Sequence, residues 1–352
     1  HGLANRQQFN RREGEQVAQA RHRGELVGDP MIVIGGAGFI GSAFVRELNR
    51  RGIKPLVVDL LTYAGRPENL VGTQHDFVRA DIRSEEIHEV IGKAIKSGAV
   101  DDVVVNFAAE THVDRSIYRP QDFVTTNVIG TVNLLEAARK YGFRYVHIST
   151  DEVYGEECAD EDSPLRPSSP YSASKASADL FVKAYVRTYG VRAIIIRPSN
   201  NYGPRQFPEK LIPKAIIRTL MGLHVPVYGD GKAERDWIYV EDTARVIYEV
   251  IKEKAEWKGE VYNIPGNQRY TVLEVLKILE EVMGREVKIK FVRDRPGHDR
   301  NYCMTTNKLK YEVTPLKDGL KKTAEWYMNN KWWWESLVHD KFFTEDEPWG
   351  TS

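Results

Sequence analysis

IGGAGFIGSAFVREL, residues 34–48, sets glycines at 35, 38 and 41 directly behind the β-branched run Met31–Ile34 and in front of a helical pattern. Glycines at this spacing allow a tight turn and a close backbone approach. The helix that follows offers free amide hydrogens and the positive end of its dipole to a pyrophosphate. Such glycines are weak evidence alone. Asp59 strengthens them by ending the next apolar run, at the distance expected of an acid that accepts from an adenosine ribose. A carboxylate there repels a 2′-phosphate, so the expected cofactor is NAD rather than NADP.

Working outward, MIVIGG, KPLVVDL, DFVRADI, DDVVVNFAAE, FRYVHIST and VRAIIIRPSN read as strands apolar on both faces, with helical patterns at 39–51, 84–97, 120–141 and 170–189 between them. That alternation predicts an α/β fold, a Rossmann-type doubly wound parallel sheet. After Pro198 the strands shorten and the helices (209–222, 241–254, 271–283, 315–329) lose the regular alternation. The expected organisation is an NAD-binding domain over 31–200 and a smaller α/β substrate-binding domain over 201–352, with some chain crossing back. Residues 1–30, with five Arg against four acids and no apolar period, are expected to lie outside the fold, either foreign to the native chain or mobile.

The 50 basic and 50 acidic residues balance, so no overall field favours nucleic acid or an anionic membrane. Cys158 and Cys303 form no CxxC pair and the nine histidines no HExxH spacing, so neither a metal site nor a disulfide is expected. Without an apolar run of membrane-spanning length or a signal-peptide centre, the cytoplasm is the expected compartment.

Two further stretches carry chemistry. In SSPYSASKASADL, Tyr171 and Lys175 stand four apart behind Pro170, on one face of a helix. An ammonium beside a phenol favours phenolate, which predicts a lowered pKa for Tyr171 and a role as general base. In HISTDEVYGE (147–156), Asp151 and Glu152 adjoin at a strand end. On a strand they would face opposite ways; if the strand stops at Thr150, both can turn to one substrate. Two carboxylates about 4 Å apart then repel by roughly 4 kcal/mol at an effective dielectric of about 20, enough to keep one protonated while the other is ionised.

GGAGFIG, ISTDEVYG and YSASK together resemble the extended short-chain dehydrogenase/reductase family. AAETHVDRS (108–116), SNNYGPRQFPEKLIP (199–213), GDGKAERDWIYVED (229–242) and DRPGHD (294–299) extend the resemblance to its nucleoside-diphosphate-glucose 4,6-dehydratases, nearest to those acting on dTDP-glucose. The resemblance implies a redox-neutral dehydration with NAD, no metal, a nucleotide-sugar substrate and a homodimer through the Tyr171 helix and the 120–141 helix. It assigns catalysis to Thr150, Asp151, Glu152, Tyr171 and Lys175, with Glu152 as base at carbon 5 and Asp151 as acid at the 6-hydroxyl. On the cofactor it implies Gly35, Gly38, Phe39, Ile40, Gly41, Asp59, Thr62, Asp81, Ile82, Ala108, Ala109, Thr126 and Asn201, besides Tyr171 and Lys175. On the substrate it implies Thr111, Thr150, Asn200, Lys210, Leu211, Pro226, Tyr228, Arg235, Arg295 and His298. For Arg235, a surface ion pair with Glu241 or Asp242 is the competing reading. The usual substrate-side Asn is replaced by Thr271 or shifted to Asn267.

Overall fold

The computed structural model describes residues 30–350 apart from Tyr63, Glu110 and Thr111. The expected extension therefore lies, but for Pro30, outside the described residues. In chain order the strands are β1 Ile32–Ile34, β2 Leu56–Asp59, β3 Asp76–Arg79, β4 Val103–Asn106, β5 Arg144–Ile148, β6 Ala193–Pro198, β7 Asn200–Tyr202, β8 Val225–Tyr228, β9 Glu234–Tyr239, β10 Val261–Ile264, β11 Arg269–Thr271 and β12 Ile289–Val292. The longer helices are α1 Phe39–Arg50, α2 Glu86–Lys96, α3 Gly130–Tyr141, α4 Pro170–Tyr189, α5 Leu211–Leu220, α6 Val240–Glu249, α7 Val272–Met283 and α8 Leu316–Asn329.

Seven strands form one sheet in the order β10-β6-β5-β4-β1-β2-β3, every pairing parallel. Strand order reverses between β1 and β4, and ligands of such sheets bind in the crevice outside the carboxyl ends of the strands at that point. Gly35, Ala108 and Thr150 all follow strand ends there. The two faces of the sheet explain its apolar strands. Ile32, Ile34 and Val58 pack with α2, α3 and α4, whereas Val33 and Val57 pack with α1 and α6.

β3 departs from expectation. DFVRADI reads as buried on both faces, but β3 is the edge strand, with Phe77 and Arg79 exposed. The seventh strand, β10, comes from beyond residue 200 and pairs with β6, so the sheet does not end at that boundary. Around a separate core of Trp237, Leu276, Leu320 and Trp333, α5, α7 and α8 pack with the short strands β8 and β9.

The expectation of no disulfide is overturned: Cys158 and Cys303 are bonded, with Cα atoms 4.4 Å apart across 145 residues of sequence. A lone pair of distant cysteines carries no spacing signal; only the fold brings them together. The bond ties the chain leaving the Asp151–Tyr154 turn to the loop carrying Arg295 and His298. Beside it Ala159 N–H donates to the Cys303 carbonyl and Thr305 N–H to that of Ala159. Among the described residues, no helix is long and apolar enough to cross a membrane and no group of side chains could hold a metal.

Candidate active site

The glycine turn takes its shape from contacts that admit no side chain. Gly35 has φ +75°, and a Cβ there would sit 2.5 Å from the Ala108 nitrogen; one on Gly41 would sit 2.2 Å from the Gly35 carbonyl oxygen. α1 begins behind Gly38 with no side chain capping its first turn, so those amide hydrogens are left for a ligand. Asp59 accepts from Ala37 N–H at 3.0 Å and Leu61 N–H at 2.8 Å. Burial raises its pKa while these two donors oppose the rise. Two bonds leave a carboxylate with acceptor capacity for a ribose hydroxyl. At the end of β3 Asp81 is held ionised by hydrogen bonds from Arg83.

One cleft is lined by all fifteen residues expected at the cofactor, from Gly35, Gly38, Phe39, Ile40 and Gly41 through Asp59, Thr62, Asp81 and Ile82 to Ala108, Ala109, Thr126, Tyr171, Lys175 and Asn201. The same cleft holds Thr150, Asp151, Glu152, Asn200 and Lys210. An uncapped helix start, a cradle that a Cβ would fill and a buried acid lining the same cleft fit a dinucleotide.

β5 ends at Ile148, and Thr150 begins a single 3₁₀ turn, Asp151–Tyr154, by accepting from Glu152 N–H at 3.2 Å. The turn breaks strand alternation, and both carboxylates line the cleft. Asp151 is fully buried, with Oδ2 unpartnered. Burial, then the charge of Glu152, then that of Asp236 raise its pKa well above the carboxylate range. A raised pKa suits Asp151 to donate a proton.

α4 is set by its ends: Ser169 caps it reciprocally with Ser172, Pro170 occupies the first turn and Gly190 closes it at φ 69°. Its buried face carries Tyr171 and Lys175. The expected lowering of the Tyr171 pKa is not seen. Burial raises it, Glu152 raises it further, and a hydrogen bond with Thr150 opposes both. Lys175 Nζ donates instead to the Ile148 carbonyl at 2.7 Å. Burial brings the lysine down to about 8, with Asp179 working against the fall.

The nucleotide-side residues form an adjoining cluster. Asp114 accepts from Tyr228 Oη at 2.7 Å and from Arg295 Nη1 at 3.0 Å. Arg295 Nε is buried without an acceptor. Arg235 Nη2 lies 2.7 Å from His298 Nε2, and His298 Nδ1 lies 2.6 Å from Asp294. Arg235 does not pair with Glu241 or Asp242; Asp242 binds Arg245. Burial, Arg295 and Arg235 hold His298 neutral, at about 2. The charge of Glu152 acts on Arg235, Arg295 and Lys210, so it is felt in both the cofactor cleft and the adjoining cluster. Leu211, Pro226, Tyr228, Arg235, Arg295 and His298 lie outside the cofactor cleft's lining. Thr111 lies outside the described residues. Thr271 is taken up in capping α7 with Glu274, and Asn267 sits in a turn at φ 55°.

Sequence reasoning missed Asp114, the Glu209 cluster and Asp179. Glu209 binds His112 at 3.0 Å and Arg115 at 2.7 Å; burial pushes its pKa up, and these partners pull it to about 2. Only Asp179 left a signal, four residues after Lys175 as Lys175 is after Tyr171.

Dinucleotide-dependent hydride chemistry is what this fold and cleft define. The chain belongs to the NAD dependent epimerase/dehydratase family, whose profile matches residues 31–265. It is 44% identical to dTDP-glucose 4,6-dehydratase of Neisseria meningitidis over 90% of this chain and 98% of that one. To dTDP-glucose 4,6-dehydratase of Escherichia coli it is 42% identical over the same shares. A Streptomyces venezuelae dTDP-glucose 4,6-dehydratase with NAD and DAU bound superposes with TM-score 0.81 at 41% identity, covering 87% of this chain and 99% of that one. A Thermotoga maritima UDP-glucose 4-epimerase with UDP-glucose superposes with TM-score 0.78 at 32% identity, covering 85% and 99%.

Proposed function

We propose that the protein converts dTDP-glucose to dTDP-4-keto-6-deoxyglucose. NAD supplies the hydride acceptor at carbon 4 and, once water has left, the donor at carbon 6. Tyr171 takes the proton of the 4-hydroxyl in its phenolate form, which the Thr150 hydroxyl and the Lys175 ammonium one helical turn away favour against burial and the neighbouring carboxylates. The ketone at carbon 4 acidifies the hydrogen on carbon 5. Glu152 removes that proton and Asp151 delivers one to the departing 6-hydroxyl, so adjacent residues serve adjacent carbons; when the hydride returns to carbon 6, protonated Glu152 gives a proton back to carbon 5. The observation that carries this reading is the buried Asp151 beside Glu152 in the cleft that holds Tyr171, its pKa raised by burial and by the charge of Glu152. Epimerases share the fold; a second buried acid adjoining the first has no task in epimerisation.

Gly35 to Gly41 would hold the pyrophosphate, Asp59 the ribose, Asp81 and Ile82 the adenine, and Ala108, Ala109, Thr126 and Asn201 the nicotinamide half. Arg235, Arg295, His298, Lys210 and Tyr228 would hold the sugar nucleotide, with Asn200, Leu211, Pro226 and Thr111 around it. The residues leave UDP-glucose as the competing substrate. Turnover of dTDP-glucose and UDP-glucose side by side tests the choice; preference for UDP-glucose overturns it.

The homodimer belongs to the same proposal. Val124, Ile129, Leu180 and Phe181 are large apolar residues exposed on α4 and the segment leading into α3, which pack together. Light scattering at twice the chain mass supports it, and a monomer contradicts it. A cytoplasmic setting is also proposed, with the Cys158–Cys303 bond as the feature that must withstand a reducing compartment there; cell fractionation tests it.

A further inference from the structure

Beneath the acid pair lies a fully buried charged network that the proposed steps do not use. Asp179, on α4 one turn past Lys175, accepts at Oδ2 from Ser149 Oγ at 2.8 Å and from Arg197 Nε at 2.9 Å. Its Oδ1 lies 3.3 Å from His147 Nε2. Arg197 on β6 also donates to Tyr154 Oη, the last residue of the acid-bearing turn, and that hydroxyl donates to Asn263 of β10, both at 2.8 Å. His147 Nδ1 meets Tyr145 Oη at 2.8 Å. One carboxylate thus links the catalytic helix, the residue before Thr150 and, through Arg197, the far end of the acid turn.

We propose that Asp179 is a positioning residue of the reaction: its carboxylate fixes the end of β5 through Ser149 and keeps a negative charge beside Lys175, so that an ammonium stands one turn from Tyr171. The inference rests on the role assigned to Tyr171 and Lys175 above. The charged and titratable groups facing Asp179 are His147 and Tyr145 from β5, Arg197 from β6, and Tyr171, Lys175 and Lys183 from α4. Its charge raises the Tyr171 pKa directly while supporting the Lys175 ammonium, and Tyr154 lies one step further, through Arg197. Burial pushes Asp179 up, but His147, Arg197 and Lys175 hold it ionised. Burial pushes His147 down, leaving it neutral. Asp179 is therefore the charge that opposes desolvation of Lys175.

The test is a titration of Lys175 by NMR of ¹³C-labelled lysine in the NAD-loaded protein, assigned with Lys175→Met. Asp179→Asn with Arg197→Gln removes both buried charges together and leaves neither orphaned. Its Lys175 midpoint is expected to fall by about one unit or more from the wild-type value, and the pH dependence of kcat is expected to move with it. An unchanged midpoint overturns the proposal. The NMR readout needs no sugar nucleotide, so absence of dTDP-glucose turnover in the wild type would refute the assigned function without deciding this point. Ser149→Ala, which leaves every charge in place, serves if the double variant does not fold. Its midpoint should stay at the wild-type value while kcat falls several-fold at unchanged NAD affinity. Wild-type kcat there overturns the positioning role.

Discussion

Lys175 Nζ donates to the carbonyl oxygen of Ile148 across 2.7 Å, anchoring the catalytic helix to the last residue of β5. The lysine is buried, and its pKa falls from 10.5 to about 8. Between those values the unfolded chain binds more protons than the folded one, so this group's contribution to stability rises with pH through that window. Thermal unfolding of Lys175→Met should therefore show a smaller rise from pH 8 to 10 than the wild type. Parallel curves would mean that the lysine is not desolvated.

Asp151 has the opposite sign. Its folded pKa is raised, so it destabilises the fold as pH climbs above the unfolded value near 3.8. Asp151→Asn removes the buried acid and its repulsion with Glu152. It should stabilise the protein by about 0.5–2 kcal/mol at neutral pH while cutting turnover by about 10²-fold or more. A drop in melting temperature would contradict the like-charge account.

Glu152→Gln and Tyr171→Phe should fail at different points. The first should oxidise carbon 4 and stall, leaving reduced nicotinamide bound in a single turnover; the second should leave the cofactor oxidised. Both should lose about 10²- to 10⁴-fold in kcat, Glu152→Gln with NAD affinity intact. Wild-type turnover of Glu152→Gln would remove it as the base.

Asp114 holds Tyr228 and Arg295 with one carboxylate. Hydrogen bonds to charged groups contribute about 1.5–3 kcal/mol, so Asp114→Asn should raise KM for the sugar nucleotide about 10-fold and leave NAD binding unchanged. An effect on NAD alone would separate this cluster from the substrate.

The Cys158–Cys303 bond joins the exit of the acid turn to the Arg295 loop. Its loss in Cys303→Ser should lower stability by about 2–4 kcal/mol and raise KM for the sugar nucleotide more than that for NAD. Identical melting curves with and without reductant would show the link to be dispensable.

The sequence reveals α4 to the residue because Ser169-Pro170 and Gly190 are local signals, and it reveals the glycine turn because no other residue type fits Gly35 and Gly41. β3 reads as a strand, but its place at the edge does not show, because an edge strand with Phe77 and Val78 has the same apolar run as a buried one. EVYNI reads as a strand and some crossing back is expected, but a four-residue strand carries no mark of the sheet it joins, so the pairing of β10 with β6 is visible only in the fold. Partners distant in sequence, such as Cys158 with Cys303 or Asp114 with Arg295, exist only in the fold. The Tyr171 shift runs against expectation because a lysine one turn away predicts an attraction, whereas burial and the carboxylates of Glu152, Asp151 and Asp179 dominate.

The most direct test of the account follows deuterium placed on carbon 4 of dTDP-glucose. The label should appear on carbon 6 of a 4-keto-6-deoxy product, with no net reduced NAD formed. Label released to water, accumulating reduced NAD, or a product that keeps its 6-hydroxyl would contradict it.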